Sequence, residues 1–188
     1  MINIIKPLVE FNSNTGELKG SKVIHSEKKI GDLVQIFFDT VECEKMNREQ
    51  LVYKVQAFFP IDEGTVGGLF FGNTTIYPGK VGSEYFMTKG HFHHQKDRGE
   101  FYWCISGKGM LLFMDENRKV WAEKMEPNSL HYIPGKIAHR VVNTGNVPLC
   151  FGACWPSDAG HNYEEITENG FSARIIEKNG TPELIVTK

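Results

Sequence analysis

Long apolar runs are missing from this chain: no stretch approaches the roughly 18 residues that a membrane-spanning helix needs. Basic runs are missing too. No five positively charged residues follow one another, and a net charge of −2 gives no bulk attraction to nucleic acid or an anionic membrane. Neither is expected as a partner. Cysteine is scarce, and the four present (Cys43, Cys104, Cys150, Cys154) include no CxxC pair, so no disulfide framework is expected. Cys150 and Cys154 sit in the apolar run "VPLCFGACW" and read as buried reduced thiols rather than ligands for a soft metal. The opening "MINIIKPLVEF" lacks the basic start and long apolar core of a secretory leader, which makes the cytoplasm the expected compartment.

Aromatics, by contrast, are plentiful. Thirteen Phe, six Tyr and three Trp suit a pleated, half-buried surface and point to a β-rich core. A length of 188 residues fits one domain over 1–188, with a barrel core at about residues 50–160. Residues 33–38 (LVQIFF) are compatible with a strand, and 40–50 (TVECEKMNREQ) with a short helix. From "LVYKVQAFF" onward the pattern is strand, turn, strand: "GLFFGNTTIY", "SEYFMTKGHFHH", "GEFYWCISGKG", then a hairpin turning at "DENR", then "SLHYIPG" and "AHRVVNTGNVPLCFGACW". "NYEEITENG" reads as a second helix stopped by Gly170, and "FSARIIEK" and "PELIVTK" as closing strands. Short strands between Gly, Pro and Asn clusters predict a sandwich or barrel, not βαβ units.

Seven histidines are present, and three of them fall in "GHFHH". On a strand, side chains alternate, so His91 and His93 share a face while His94 points the other way. Glu100, past the turn-like "QKDRG", can return on the neighbouring strand and offer an oxygen. A fourth ligand has to come from His25, His131, His139 or His161, with His139 favoured by its place between "YIPGKIA" and "RVVN". Three imidazoles and a carboxylate suit a borderline divalent ion such as Fe, Mn, Ni, Co or Zn, with positions left open for substrate.

These spacings resemble the two motifs of the cupin superfamily: Gly90-His91-Phe92-His93, Glu100 and Gly107, followed by Pro134-Gly135, His139 and Asn143. Asn128 stands where the second motif usually begins with Gly, and it tolerates left-handed backbone well. The resemblance implies an all-β cupin fold, a double-stranded β-helix or jelly-roll barrel with one or two short helices. It also implies one metal held by His91, His93, Glu100 and His139.

A longer likeness runs from about residue 66 to 175. The strings "TTIYPGKVG", "TKGHFHHQKDRGE" and "PSDAGHNYEE" resemble the archaeal-type, cupin glucose-6-phosphate isomerase family. That resemblance implies a cytoplasmic homodimer interconverting glucose 6-phosphate and fructose 6-phosphate, with one divalent ion per subunit, Fe(II) foremost and Mn, Ni, Co or Zn as alternatives. It implies Glu100 as catalytic carboxylate as well as ligand. It further implies a phosphate site from Thr74, Thr88, Lys89, Gly90, Tyr102, His161 and Tyr163. Four positions depart from the family pattern: Trp155 for Tyr, Asn162 for Asp, the extra His94, and Lys136 where an aromatic is common. They leave open an isomerase for another sugar phosphate such as mannose 6-phosphate, a cupin dioxygenase, or a non-catalytic sugar- or metal-binding barrel.

Overall fold

The structure, a computed structural model, describes residues 2–187; Met1 and Lys188, the ends of the expected 1–188 domain, lie outside the described residues. A small hairpin of β1 (Glu10–Phe11) and β2 (Leu18–Lys19) leads into β3 (Val23–Lys29), α1 (Ile30–Leu33) and α2 (Thr40–Lys45). Then come β4 (Leu51–Phe58), β5 (Leu69–Ile76), β6 (Lys80–Val81), β7 (Glu84–Tyr85), β8 (Glu100–Ser106) and β9 (Gly109–Met114). The chain finishes with β10 (Val120–Met125), β11 (Leu130–Ile133), β12 (Ala138–Asn143), β13 (Leu149–Pro156), α3 (Glu164–Asn169), β14 (Ala173–Lys178) and β15 (Thr181–Val186).

The pairing is antiparallel throughout, in a six-stranded sheet ordered β11-β8-β13-β5-β4-β3 and a three-stranded sheet β10-β9-β12. From β8 to β13 the chain crosses repeatedly between the sheets: β8 lies in the first and β9 and β10 in the second, β11 in the first, β12 in the second and β13 in the first. This alternation closes two sheets into a jelly roll around one interior, the all-β cupin barrel. The turns follow their chemistry. Gly107 (φ +85°) joins β8 to β9, and Asn128, standing in for glycine, adopts φ +74° between β10 and β11. "DENR" turns the β9–β10 hairpin, with Asp115 Oδ1 accepting the N–H groups of Asn117 and Lys119 at 2.9 and 2.8 Å. Gly170 ends α3 at φ +64°, its N–H bonded to Ile166 O.

Three expectations need correction. Residues 33–38 are not a strand: Ile30, Leu33, Ile36 and Phe37 are buried at helical spacing, so α1 and a turn pack this run onto the core. The helix expected over 40–50 is α2 and stops at Lys45; Asp39 caps its start, and Gln50 N turns back to Asn47 O before β4 begins. The long strand "SEYFMTKGHFHH" reduces to β7 plus isolated bridges Met87↔Val142 and His91↔His139 against β12. Two residues, Lys89 and Gly90, lie opposite Arg140 alone between the Thr88–Val141 and His91–His139 backbone bonds, and this bulge interrupts regular pairing. β3 was not anticipated. All four cysteines are free; Cys43, Cys104 and Cys150 are buried and Cys154 is half-buried at the cavity-side end of β13.

Asn143, fully buried at the end of β12, locks the two sheets together. Its amide donates to Ile76 O and Val147 O (both 2.9 Å), and its Oδ1 accepts Gly145 N–H at 2.9 Å. Asn143→Ala leaves those groups unsatisfied and is expected to cost at least about 2 kcal/mol. Urea denaturation checks this, and a loss under about 0.5 kcal/mol contradicts the assigned role.

Candidate metal centre

The centre is assembled where the bridging segment meets β12. His91 N donates to His139 O (3.3 Å) and His139 N to His91 O (3.1 Å), so the two residues are direct cross-strand partners. Their rings lie on one face with centroids 4.4 Å apart. His93, two residues on, returns to that face with its ring 5.6 Å from His91, while His94 is exposed outside. Glu100, the first residue of β8, comes in from the other sheet. One donor atom from each of His91, His93, Glu100 and His139 lies within 4.8 Å of the others. This is the predicted ligand set, and among the described residues it is the group of three or more such side chains close enough to share an ion.

The backbone decides which nitrogens face inward. His93 Nδ1 lies 2.7 Å from Arg98 O and His139 Nδ1 3.3 Å from Ile137 O. A carbonyl only accepts, so each Nδ1 carries the hydrogen and each Nε2 turns a lone pair to the centre. The Nε2 atoms of His91 and His139 are buried without a hydrogen-bond partner. His139 Nε2 sits 2.6 Å from Glu100 Oε1 without the alignment of a hydrogen bond, and His93 Nε2 is 3.1 Å from the same oxygen. Lone pairs pressed together out of water call for a cation between them. The residues therefore fit a divalent metal.

Titration follows the same geometry. Burial drives the His91 imidazole well below its usual value, reinforced by His139, His161 and His93, so it is neutral and ready to ligate. Burial pulls on His93 in the same direction, but the bond to Glu100 and its charge outweigh that and raise it. For Glu100 burial pushes upward, yet His139 and His93 together hold the carboxyl at about 2. It is an anion over the whole physiological range.

A cavity of ≈ 360 Å³ opens over the centre, and His91, Glu100 and His139 face into it. All seven expected phosphate contacts line it: Thr74 from β5, Thr88, Lys89 and Gly90 from the bulge, Tyr102 from β8, and His161 and Tyr163 from the loop before α3. His161 and Tyr163 stack at 6° with centroids 5.6 Å apart, and Lys89 Nζ stands 4.8 Å over the Tyr163 ring rather than in open solvent. That loop is fastened to the metal-bearing segment. Arg98 grips Asp158 with three bonds of 2.8–3.1 Å, Gln95 N donates to Ala159 O, and Phe92 and Asn162 exchange backbone bonds.

The departures from the family pattern separate cleanly. Trp155 lines the cavity, with Phe59 and Phe70 edge-on to it. Asn162 uses its Oδ1 to accept Glu164 N–H at the start of α3. Lys136 takes φ +66° in a turn away from the lining, and His94 faces outward. Sequence reading missed Tyr53 and Lys28, which line the cavity from β4 and β3. Tyr53 falls within an expected strand, but only its pairing neighbours show that it faces inward. His139→Ala is expected to weaken metal binding by more than ~100-fold, beyond the loss that removing an outer-sphere partner causes. Metal analysis after dialysis checks it, and full retention removes His139 from the ligand set.

Comparisons with known proteins bear on the family. The family model described as Glucose-6-phosphate isomerase (GPI) matches residues 27–184. A glucose-6-phosphate isomerase of Pyrococcus abyssi is 42% identical over 180 residues, covering 94% of this chain and 93% of its own length. One of Thermococcus litoralis is 40% identical over 174 residues, covering 92% and 90%. Among solved structures, a deletion mutant of Bacillus subtilis oxalate decarboxylase superposes with a TM-score of 0.45 at 21% identity, over 58% of this chain and 27% of that one. With a family match across most of its length and relatives at 40–42% identity, the chain belongs to the glucose-6-phosphate isomerase family.

Proposed function

We propose that this chain interconverts glucose 6-phosphate and fructose 6-phosphate at the four-residue centre, with Glu100 as both ligand and proton carrier. The observation that carries the reading is the division of labour within one carboxylate. Glu100 Oε1 faces His93 and His139, while the residue also lines the substrate cavity. Its second oxygen, with the Tyr102 hydroxyl nearby, would take the proton that leaves the sugar as the carbonyl moves between C1 and C2, and return it at the neighbouring position. A divalent cation bound by His91, His93, Glu100 and His139 would polarise the sugar's carbonyl oxygen. The mixed imidazole–carboxylate set fits Fe(II), Mn, Ni, Co or Zn, and the family resemblance puts Fe(II) first among them.

The phosphate is held in the same cavity, beside the ligand histidines, by Thr74, Thr88, Lys89, Gly90, Tyr102, His161 and Tyr163. Support for Thr88 comes from its own bonding: Val141 N–H donates to its Oγ at 3.1 Å, which leaves the hydroxyl hydrogen to donate into the cavity. Lys89 supplies charge from beside the metal strand. In the cell the reaction belongs to the cytoplasmic step shared by glycolysis and gluconeogenesis; no described helix is long and apolar enough to cross a membrane. The working unit is a homodimer, a reading supported by the apolar N-terminal segment, where Ile2, Ile4, Ile5 and Leu8 are exposed.

The direct experiment is fructose 6-phosphate isomerisation by metal-loaded protein, before and after chelation. Turnover is expected with iron and lost on chelation; no turnover with iron, manganese or nickel overturns the reading. Glu100→Gln, reloaded with metal, is expected to lower kcat by ~10²–10⁴-fold. Thr88→Val is expected to raise KM several-fold with little change in kcat, which steady-state kinetics separates.

A further inference from the structure

Arg140 is 2% exposed and is the largest fully buried side chain of the fold. Nothing in metal binding or proton transfer requires it. Its neighbour His139 points into the barrel, so alternation on β12 sends Arg140 to the opposite face. There its guanidinium lies 4.4 Å from the centroid of Phe171 and donates to a single carbonyl, Lys89 O, through Nη2 at 2.6 Å and Nε at 3.3 Å. Among the described residues no carboxylate lies within ion-pair distance of it. The buried Glu84 is committed to Arg174 (2.7 Å) and to Phe38 N–H (2.8 Å). A buried cation without an anion is costly, so its retention here calls for a reason.

The bulge supplies one. Lys89 and Gly90 together oppose Arg140, and Gly90 takes φ +76°, a conformation open to glycine. A Cβ on Gly90 would meet Phe171 and Arg140, so the side-chain direction at this residue points toward the arginine and away from the cavity. In a planar trans peptide the C=O and the following N–H point opposite ways. Arg140 holds the carbonyl on the outer face, and the Gly90 N–H is turned inward, where Gly90 lines the cavity. Among the described residues that N–H has no hydrogen-bond acceptor.

We infer that Arg140 is a positioning residue for the substrate's phosphate. From behind the bulge it aims the Gly90 N–H into the cavity and places a fixed positive charge behind that donor. It touches no reacting atom. The bound phosphate supplies the counter-charge the guanidinium lacks, one peptide away. This rests on the phosphate site proposed above and adds a residue on the far side of the strand.

The test uses full-length, metal-loaded protein with inorganic phosphate and fructose 6-phosphate as probes. Arg140→Met keeps the length of the side chain and removes the charge and the donors. KM is expected to rise about 10- to 100-fold, the size of one lost charge-assisted contact. Metal content is expected to stay at the wild-type level, and kcat within a few-fold of it. Thermal protection by inorganic phosphate, present in the wild type, is expected to vanish. Should Arg140→Met not fold, Arg140→Lys retains the charge with a different donor geometry and is expected to show a smaller rise in KM and weaker protection. Wild-type KM and wild-type protection in whichever folded variant is measured would falsify the inference. If protection is lost in Thr88→Val but kept in the Arg140 variant, Arg140 alone is misassigned. If the wild type itself shows no protection and Thr88→Val no change in KM, the phosphate reading fails and this inference with it.

Discussion

Four lone-pair donors forced together out of water are the constraint on which the rest of this structure depends. His91, His93, Glu100 and His139 converge within 4.8 Å, and two of the imidazole Nε2 atoms have no hydrogen-bond partner. Such an arrangement is stable only with positive charge at its centre, whether protons or a metal. The surrounding backbone favours the metal. Arg98 O and Ile137 O occupy the outer nitrogens of His93 and His139, so the inner nitrogens are left as acceptors. A barrel interior brings these residues together at one point beneath the cavity.

The same bridging segment that bears His91 and His93 also bears the bulge. Thr88, Lys89 and Gly90 precede His91 directly, and all of them face or border the cavity. The metal centre and the proposed phosphate site are therefore spaced by a few residues of backbone bridged to β12. A sugar phosphate bound in this cavity would have its reacting carbons held beside the four donors, positioning of the kind that reduces the entropic cost of activation. The loop carrying His161 and Tyr163 is brought to this strand by the Arg98–Asp158 pair and by mutual Phe92–Asn162 bonds. Arg98 thus serves the centre twice, through its carbonyl on His93 and its side chain on Asp158.

Trp155 is the departure from the family pattern with a consequence for the cavity. It adds an aromatic wall with Phe59 and Phe70 where a hydroxyl is more usual, and offers only an indole N–H as donor. The other three differences fall on a helix start, a turn and the outer surface, where they leave the centre's geometry untouched.

Read alone, the sequence determined the clustered candidate ligands, the strand pattern from β4 onward except at "SEYFMTKGHFHH", the "DENR" hairpin and the helix closed by Gly170. These are local: they rest on a two-residue period, on turn residues and on motif spacing, all visible within a few positions. The rest was decided by contacts across the fold. β3 is an exposed edge strand with too little apolar alternation to announce itself, and residues 33–38 form an apolar run whose spacing suits a strand until tertiary burial selects a helical turn. The bulge at Lys89–Gly90 exists because β12 pairs on either side of it, and Arg140 is buried because Phe171, more than thirty residues later, covers it. Which histidine nitrogen faces the centre depends on carbonyls that only the folded chain brings into place. Chemistry was written in residue types; its orientation came from the packing of distant strands.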